Sequence, residues 1–548
     1  MTVHFKQDEP DNSNRLDGMK QGVLGKPLPR IEGLAKVTGT APYAAEYPVE
    51  NCAEGVLVTS TITRGEVVAI DRTTVLSMPG VIAVVDDEKL CTRAAQGTAN
   101  EAPMQGPTQV CYWGQPIALV VAETFEQARD AAKHLNVEYR EEEGAPLDPG
   151  VVEPEEQEDE TVHQGDLVYA MAEAAHSVDV TYTTKGHASA AMEPHAAIAE
   201  WDGDMLTVHA SLQMLNYNIS ELADALDMEE DNIRLISRFV GGGFGSKLGI
   251  SEEVVAAALA AKQVGRPVRV VQSRQQVFQT VMRRSETTQR LRLAADDNAK
   301  LTGFGHQALV SNLPGETFAE PVLQSSHFMY GGQNRELMLN VARIHRMTAG
   351  SVRAPGEAVG MPALEGAMDV LAEKAGIDPV DLRLRNIPEN DPEEDLPFSS
   401  HKLAECLKQG AEAFGWDKGP RKPRQRREGE WWIGTGMASA ARVHNISEAK
   451  SRVTLKADGT ALVETDMTDI GTGTYTILAQ IAGEMLGLDP KQVLVELGDT
   501  RHPRGPGSGG SWGAASIGSA VYVACKAIRE ELAAKIGTSE EELELSAA

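Results

Sequence analysis

The pattern of apolar and polar positions divides the chain into three regions. In the first, at residues 30–140, short apolar runs typical of β-strands alternate with turn residues. These runs cover residues 55–60, 81–85 and 117–121. Residues 124–135 have a helical pattern instead. The first region is therefore predicted to be a compact α+β domain, preceded by an N-terminal tail at residues 1–29.

An acidic segment at residues 141–164 separates the first region from the second. Its first twenty residues include ten Asp or Glu and three Pro. A segment with so much charge and proline is not expected to pack in a core. It is therefore predicted to be a linker.

The second predicted domain spans residues 165–415. A β-like run at residues 233–236 leads to a glycine-dense turn, and an alanine-rich helix capped by Ser251 follows. Two more helices are predicted at residues 362–375 and 379–386 from their turn and cap residues.

The third predicted domain spans residues 430–548. It has a hairpin turn at Asp458 and Gly459, a strand at residues 493–497 and a helix at residues 518–536. Two further glycine-rich turns lie in this domain, and each precedes a helix.

The overall charge excludes some partners. The formal net charge is -29, from 80 acidic and 51 basic residues, which opposes binding to nucleic acid or anionic lipid. One basic run is the exception, and its glycine and proline neighbours favour a solvated loop between domains over a nucleic-acid patch. The run consists of Arg421, Lys422, Arg424, Arg426 and Arg427.

The cysteines and the N-terminus carry little signal. The five cysteines are scattered and form no CxxC pair, so an iron–sulfur or zinc cluster within the chain is not expected. The polar N-terminus has no apolar signal region, and no window holds 18 uninterrupted apolar residues. A soluble protein is expected, in the cytoplasm, or in the periplasm if it is exported with a signal-bearing partner.

The glycine-dense turn at residues 241–247 reads Gly-Gly-Gly-Phe-Gly-Ser-Lys. Glycines allow positive φ and close approach of the backbone, so successive N–H groups can point at oxygen atoms. The spacing does not match a P-loop, because Ser246 rather than glycine precedes Lys247. It does not match a dinucleotide-binding GxGxxG motif either, because neither residue 246 nor residue 248 is glycine.

The other two glycine-rich turns lie at residues 471–475 and 507–511, directly before predicted helices. The N–H groups and the dipole at a helix N-terminus favour anions. Three such turns in one chain predict a large ligand with several oxygen-bearing groups.

Five motifs resemble those of the molybdopterin-binding large subunit of aldehyde oxidases and xanthine dehydrogenases. They are the three glycine-rich turns, Met-Glu-Pro-His at residues 192–195 and Arg-Ala-Pro-Gly-Glu at residues 353–357. The similarity covers residues 30–537 and is strongest to bacterial three-subunit aldehyde oxidases. It implies an α+β protein in which an N-terminal hammerhead-like α/β domain precedes two large mixed α/β molybdopterin-binding domains, the last incomplete.

The resemblance implies roles for matching residues. Arg353 would stabilise negative charge developing on the substrate, and Arg442 would add a second cation near the substrate channel. Gln213 would hydrogen-bond an oxo ligand of the molybdenum. The other cofactor-binding residues would be Gly242, Gly243, Phe244, Gly245, Thr472, Gly473, Thr474, Ser508, Gly509, Gly510 and Ser511. No side chain is expected to ligate the metal, which the pterin dithiolene would hold.

Glu193 and His195 are open to two interpretations. They could carry out acid–base chemistry, or they could form a buried polar pair that supports the cofactor-binding turn. The second interpretation is favoured, because it is the commoner use of such residues.

The family oxidises aldehydes or heteroaromatic compounds by hydroxylation with water. This chain has no iron–sulfur cysteines and no flavin fingerprint, so the resemblance implies partner subunits that carry 2Fe-2S clusters and FAD. It also implies molybdopterin cytosine dinucleotide as the form of the cofactor. An aldehyde-type oxidoreductase subunit is the first hypothesis.

The family's general base is a glutamate in a late Gly-Val-Gly-Glu-type segment, which this sequence lacks. Its late glutamates are interpreted as solvated side chains of an amphipathic helix and tail. We therefore expect a C-terminally truncated chain that is inactive by itself. The alternative hypothesis is a non-catalytic cofactor-binding or assembly protein, or a truncated remnant.

Overall fold

The computed structural model describes residues 22–91, 108–398, 401–416, 424–442, 445–540 and 542–545. The first region forms α1 (Gly33–Val37), β1 (Ala53–Thr59), β2 (Gly65–Asp71), α2 (Thr73–Leu76), β3 (Val81–Val85), β4 (Gln109–Val110), β5 (Pro116–Ala122), α3 (Phe125–His134) and β6 (Asn136–Glu141). The predicted strands and helix are confirmed to within two residues. Helix α3 begins after Thr124 because its hydroxyl oxygen accepts a hydrogen bond from the N–H of Gln127.

The acidic segment and the second region together contain ten strands and seven helices among the described residues. They are β7 (Glu155–Glu156), β8 (Val162–Gln164), α4 (Leu167–Ala172), β9 (His176–Thr184), β10 (Ala196–Asp202), β11 (Met205–Ala210), α5 (Leu215–Leu226), β12 (Ile233–Ile236), α6 (Glu252–Val264), β13 (Val268–Val271), α7 (Arg274–Thr280), β14 (Thr287–Ala295), β15 (Leu301–Asn312), β16 (Asn334–Arg343), α8 (Glu357–Ala375), α9 (Pro379–Asn386) and α10 (Leu403–Phe414). Ser251 is the N-cap residue of α6, as predicted, although its side chain makes no capping hydrogen bond.

The third region forms β17 (Arg426–Glu428), β18 (Trp431–Ile433), β19 (Arg452–Leu455), β20 (Ala461–Thr465), α11 (Thr474–Leu486), β21 (Val493–Leu497) and α12 (Gly513–Ile536). The predicted hairpin is confirmed, since β19 and β20 pair antiparallel around Gly459. Strand β21 pairs in parallel with β20, and α11 connects the two. Helices α11 and α12 share one core with this three-stranded sheet.

A seven-stranded sheet joins the first two regions. Its strand order is β12-β11-β10-β13-β1-β5-β3, and β1 pairs in parallel with β13. Helix α6 packs against this sheet with its alanines fully buried, because small side chains let a helix lie close to strands. The sheet therefore continues across the boundary that the sequence analysis set at residues 141–164.

Residues 141–164 stay out of the core, as predicted, but strand pairing orders the segment, so it is more than a linker. Strands β7 and β8 both pair with β16 at the edge of a six-stranded sheet, in which the other strands follow in the order β16-β15-β14-β9. Edge pairing needs only backbone groups, so the acidic side chains stay exposed or meet cations. Glu155 lies 2.8 Å from Arg343, and Glu160 lies 3.7 Å from His327.

Helix α8 begins at Glu357, five residues before the predicted start at Pro362. Proline was expected near a helix start because it lacks an N–H. Here the buried face of α8 packs on the six-stranded sheet and tolerates Pro362 inside the helix. Helix α12 likewise begins at Gly513 rather than at residue 518. Both helices therefore start directly at a glycine-containing motif.

The basic run is only partly a loop. Arg421 and Lys422 lie outside the described residues, whereas Arg426 and Arg427 belong to β17, which pairs with β18. The guanidinium of Arg427 lies 5.5 Å from the ring centroid of Trp432. In the described part of the chain, none of the helices combines the length and the hydropathy that crossing a bilayer requires.

Candidate functional site

The glycine-rich turns leave the carboxyl ends of parallel strands. Strands β11 and β12 are parallel neighbours that lead to Gln213 and to the turn at residues 241–247. Strands β20 and β21 are also parallel neighbours, and they lead to the turns at residues 471–475 and 507–511. The carboxyl edge is where parallel sheets bind ligands, so two such edges contribute here.

Hydrogen bonds hold the two edges together. The N–H of Ser237, after β12, donates to the carbonyl oxygen of Gly498, after β21, at 2.7 Å. Arg234 donates two hydrogen bonds to the carboxylate of Asp499, at 2.6 and 3.1 Å. The site is therefore built jointly by the second and third regions.

The glycines at residues 241–247 are required by the groups behind the turn. A Cβ on Gly243 would lie 2.2 Å from Oε1 of Gln213, and a Cβ on Gly245 would lie 1.8 Å from the carbonyl oxygen of Ser351. Gly245 also has a φ of +99°, which disfavours any side chain. No larger residue fits while the turn keeps these contacts.

The resemblance to molybdopterin-binding subunits implies bound molybdenum, and we expect Gly245→Ala to lose most of it when the protein is produced with the cofactor-maturation machinery. The new Cβ would overlap the carbonyl oxygen of Ser351, and the backbone strain alone costs on the order of 1–3 kcal/mol. Metal analysis of the purified protein measures the loss. Gly434→Ala is the control, since nothing lies within 4 Å of a Cβ there. A full molybdenum complement in Gly245→Ala would contradict the prediction.

The side chain of Gln213 connects two of the turns. Its Oε1 accepts hydrogen bonds from the N–H groups of Gly245 and Lys247, at 3.1 and 3.3 Å. Its Nε2 donates to the carbonyl oxygen of Ser508 at 2.7 Å. Gln213 is almost fully buried, and one Nε2 hydrogen is left for a further acceptor. These contacts make it a support of the turns, and its bond to the cofactor stays a prediction.

A buried ion pair lies beneath the glycine-dense turn. Oε2 of Glu193 accepts hydrogen bonds from Nζ of Lys247 and from the N–H of Gly241, both at 2.8 Å. His195 donates through Nε2 to the carbonyl oxygen of Ser246 at 2.9 Å. Burial, together with the charge of Lys247, lowers the pKa of His195 to about 3, so the ring is neutral. The contacts favour the supporting interpretation of Glu193 and His195 over acid–base chemistry.

Arg353 lies beside this turn. Its N–H donates to the carbonyl oxygen of Phe244 at 2.7 Å, which joins the two motifs. Arg353 is exposed, and it forms no ion pair with any residue that the structure describes. Its positive charge is therefore available to a ligand.

Arg442, in the third region, contacts the motif at residues 353–357 and the turn at residues 507–511. It donates to Oε1 of Glu357 at 2.6 Å and to Oγ of Ser511 at 3.2 Å. Glu357 is buried at the first position of α8, so its carboxylate balances the charge of Arg442. The two predicted cations therefore differ: Arg353 has no ion-pair partner among the described residues, whereas Arg442 links two of the motifs.

Several backbone donors at the turns have no partner among the residues that the structure describes. The N–H groups for which the described residues provide no acceptor are those of Gly242, Gly243, Phe244, Thr472, Thr474, Gly509, Gly510 and Ser511. The N–H of Gly473 is engaged, because it donates to Asp469 at 3.3 Å. The unpaired donors and Arg353 fit a cofactor that carries phosphate and oxo oxygens.

Strained backbone marks the same motifs. Phe244, Ala354 and Ser511 have left-handed φ values of 54°, 56° and 59°. Such conformations cost on the order of 1–3 kcal/mol each outside glycine and concentrate at ligand sites. Each of the three residues belongs to a different motif. The strain therefore indicates a functional site independently of the unpaired donors.

Two buried residues beside the site are not singled out by the sequence analysis. Arg284 and Glu320 form an ion pair at 2.6 Å next to Arg353. The available signal is the pair of adjacent arginines, Arg283 and Arg284, after an apolar stretch, since buried cations need carboxylate partners. The position of that partner cannot be read from the sequence.

One cluster with metal-ligand spacing occurs among the described residues. Glu464, Glu496 and His502 offer ligand atoms within 4.8 Å of one another. Glu464 lies 3.5 Å from Arg452, so an ion pair already engages one member of the cluster. It involves none of the glycine-rich turns.

Two sheet edges, three donor-rich turns and an unpaired arginine define a binding protein for a large, oxygen-rich cofactor. The molybdopterin cofactor-binding domain family matches residues 152–387, and a second family of the same description matches residues 409–548. The a/b hammerhead domain of aldehyde oxidase and xanthine dehydrogenase matches residues 38–143. The chain belongs to the molybdopterin-binding subunits of the aldehyde oxidoreductase and xanthine dehydrogenase family.

Two relatives with assigned functions support this family assignment. The aldehyde oxidoreductase molybdenum-binding subunit PaoC of Escherichia coli (strain K12) is 43% identical over 546 residues, which cover 98% of this chain and 74% of PaoC. The nicotine 6-hydroxylase large subunit of Paenarthrobacter nicotinovorans is 28% identical, with coverage of 96% of this chain and 70% of the relative.

Solved structures share the fold. The aldehyde oxidoreductase of Desulfovibrio gigas gives a TM-score of 0.81 at 23% identity, with coverage of 93% of this chain and 60% of that one. Quinoline 2-oxidoreductase of Pseudomonas putida 86 gives a TM-score of 0.83 at 20% identity, and the match covers 96% of this chain and 74% of that one. The predicted order of a hammerhead domain followed by two molybdopterin-binding domains is confirmed.

Proposed function

We propose that this subunit oxidises aldehydes to acids with water, with heteroaromatic compounds as the second candidate substrates. The observation that carries the proposal is the set of three donor-rich turns at two joined sheet edges, with the exposed Arg353 beside Phe244 of the first turn. The similarity to PaoC supports aldehydes, and the similarity to a nicotine hydroxylase supports the second candidate.

The bound cofactor would supply the molybdenum redox chemistry that accepts electrons from the substrate. The chain's own residues would bind and orient the cofactor and would stabilise charge on the substrate. The N–H groups at residues 242–244 would donate to oxygen atoms of the cofactor, and those of the third region's turns would hold its pterin and phosphates. Arg353 would stabilise negative charge on the substrate oxygen, and Arg442 would fix the turn at Ser511.

Three glutamates that contact these motifs are already engaged. Glu193 pairs with Lys247, Glu320 with Arg284, and Glu357 with Arg442. Each of these carboxylates has an oxygen held by its cation at 2.6–2.8 Å, so it already serves a contact within the protein. We therefore assign these three glutamates to support rather than to proton transfer.

We further propose molybdopterin cytosine dinucleotide as the form of the cofactor, and partner subunits that carry 2Fe-2S clusters and FAD. The names of the relatives support an assembly, because they describe a molybdenum-binding subunit and a large subunit. The resemblance of this chain to bacterial three-subunit aldehyde oxidases supports the cytosine form.

Protein produced with the maturation machinery is expected to contain molybdenum and to release CMP on acid treatment, at about one equivalent each. Metal analysis and chromatography of the released nucleotide measure both. Molybdenum with a different nucleotide would refute the cytosine form alone. Absence of both would refute cofactor binding. Cofactor without turnover of any aldehyde or heteroaromatic compound by the assembled complex would favour the non-catalytic alternative.

A further inference from the structure

The side chain of Arg284 contacts the backbone of the turn that carries Arg353. Its guanidinium donates to three consecutive carbonyl oxygens, those of Val352 at 3.0 Å, Arg353 at 2.6 Å and Ala354 at 3.3 Å. Arg284 is almost completely buried. A planar guanidinium has several donors in a fixed arrangement, so it can hold three carbonyl groups at once.

Glu320 completes this arrangement. Its Oε1 accepts a hydrogen bond from Arg284 at 2.6 Å and another from the N–H of Gly356 at 2.7 Å. Gly356 is the N-cap residue of α8, so one carboxylate oxygen joins Arg284 to the start of that helix. Burial raises the pKa of Glu320, and the charge of Arg284 opposes that effect.

The contacts fall where the backbone is strained. Ala354 has a φ of 56°, which an alanine adopts only when its surroundings impose it. The bond from Arg353 to the carbonyl oxygen of Phe244 fixes the other side of the turn. The backbone of Arg353 is therefore held from two sides while its side chain stays exposed.

We infer that Arg284 and Glu320 are positioning residues that set the direction of the Arg353 guanidinium towards the reacting group. The inference deepens the proposed function and rests on it. Neither side chain needs to touch the substrate, because both act through the backbone at residues 352–356. A displacement of a catalytic group by about 1 Å can cost on the order of 100-fold in rate.

The test is a double-mutant cycle in the complete enzyme complex. Arg284→Lys keeps the charge opposite Glu320 but cannot hold three carbonyl groups, so kcat should fall about 10- to 100-fold with little change in KM. In the background of Arg353→Ala, the same substitution should change kcat by less than about threefold, because its target is gone. Equal effects in both backgrounds would overturn the inference.

Arg283→Lys is the matched control. Arg283 is equally buried and pairs with Glu286, but it donates to Met347 and Ser311 rather than to the turn. We expect it to keep kcat within about threefold. If kcat fell as much in Arg283→Lys as in Arg284→Lys, the effect would come from disturbance of the fold and not from the position of Arg353.

A crystal structure of Arg284→Lys gives a readout besides activity. We expect the backbone at residues 352–354 to shift and Ala354 to leave its left-handed conformation. If Arg284→Lys does not fold, Glu320→Gln replaces it, with a smaller loss expected in the same cycle. An unchanged turn with unchanged kcat would refute the positioning role, whereas an inactive wild-type complex would refute the proposed function instead.

Discussion

Arg353→Ala is expected to lower kcat of the assembled enzyme by about 100-fold while the molybdenum content stays near that of the wild type. One preorganised group that stabilises developing charge contributes roughly that factor. Arg353 is suited to the role because it is exposed beside Phe244 and forms no ion pair with the described residues. Steady-state kinetics with an aldehyde substrate, together with metal analysis, measure both effects.

Arg353→Lys should rescue the rate poorly, because lysine lacks the planar pair of donors. Arg129→Ala, at an exposed arginine on α3, is the matched control and should leave kcat unchanged. If Arg353→Ala turned over at the wild-type rate with full cofactor, Arg353 would have no part in the reaction. If it lost its molybdenum instead, Arg353 would belong to cofactor binding.

The second large effect is expected for Glu193→Ala. It would leave the ammonium group of Lys247 without its carboxylate at a position with no solvent exposure. Removing one partner of a buried ion pair typically costs about 3–5 kcal/mol. The N–H of Gly241 would lose its acceptor as well. We expect a clear fall in thermal stability and loss of most of the molybdenum.

Calorimetry and metal analysis test this prediction. Glu193→Gln should lose less thermal stability and less molybdenum, because its amide oxygen can still accept hydrogen bonds from Lys247 and Gly241. Glu123→Ala is the control, since Glu123 forms an exposed ion pair with Arg266 and such pairs contribute little. Wild-type stability and cofactor content in Glu193→Ala would show that the pair is not required.

Local sequence patterns predicted the secondary structure well where the signals are local. Residues 81–85, 379–386 and 493–497 have the bounds that their apolar runs and cap residues predict. Asp378 caps its helix through hydrogen bonds to the next two N–H groups beyond Pro379. Such signals involve neighbouring residues only, so the tertiary structure does not need to be known.

The predictions failed where contacts with distant parts of the chain decide the local structure. The acidic segment at residues 141–164 has no apolar pattern, yet β7 and β8 pair with the edge of a sheet. Pro362 signals a helix start, but packing of α8 on the sheet carries the helix past it. In both cases a partner far along the chain overrides the local preference.

By itself, the sequence determined the glycine-rich motifs and the family that they resemble, because glycine-rich turns and helix starts are encoded by adjacent residues. Only the tertiary structure decided how those motifs support each other. Gln213 reaches Ser508 across 295 positions, and Glu193 reaches Lys247 across 54. Buried polar groups must find partners, but their identity depends on which strand ends meet at one edge. For the same reason, the role of Arg284 beneath Arg353 is visible only in the folded chain.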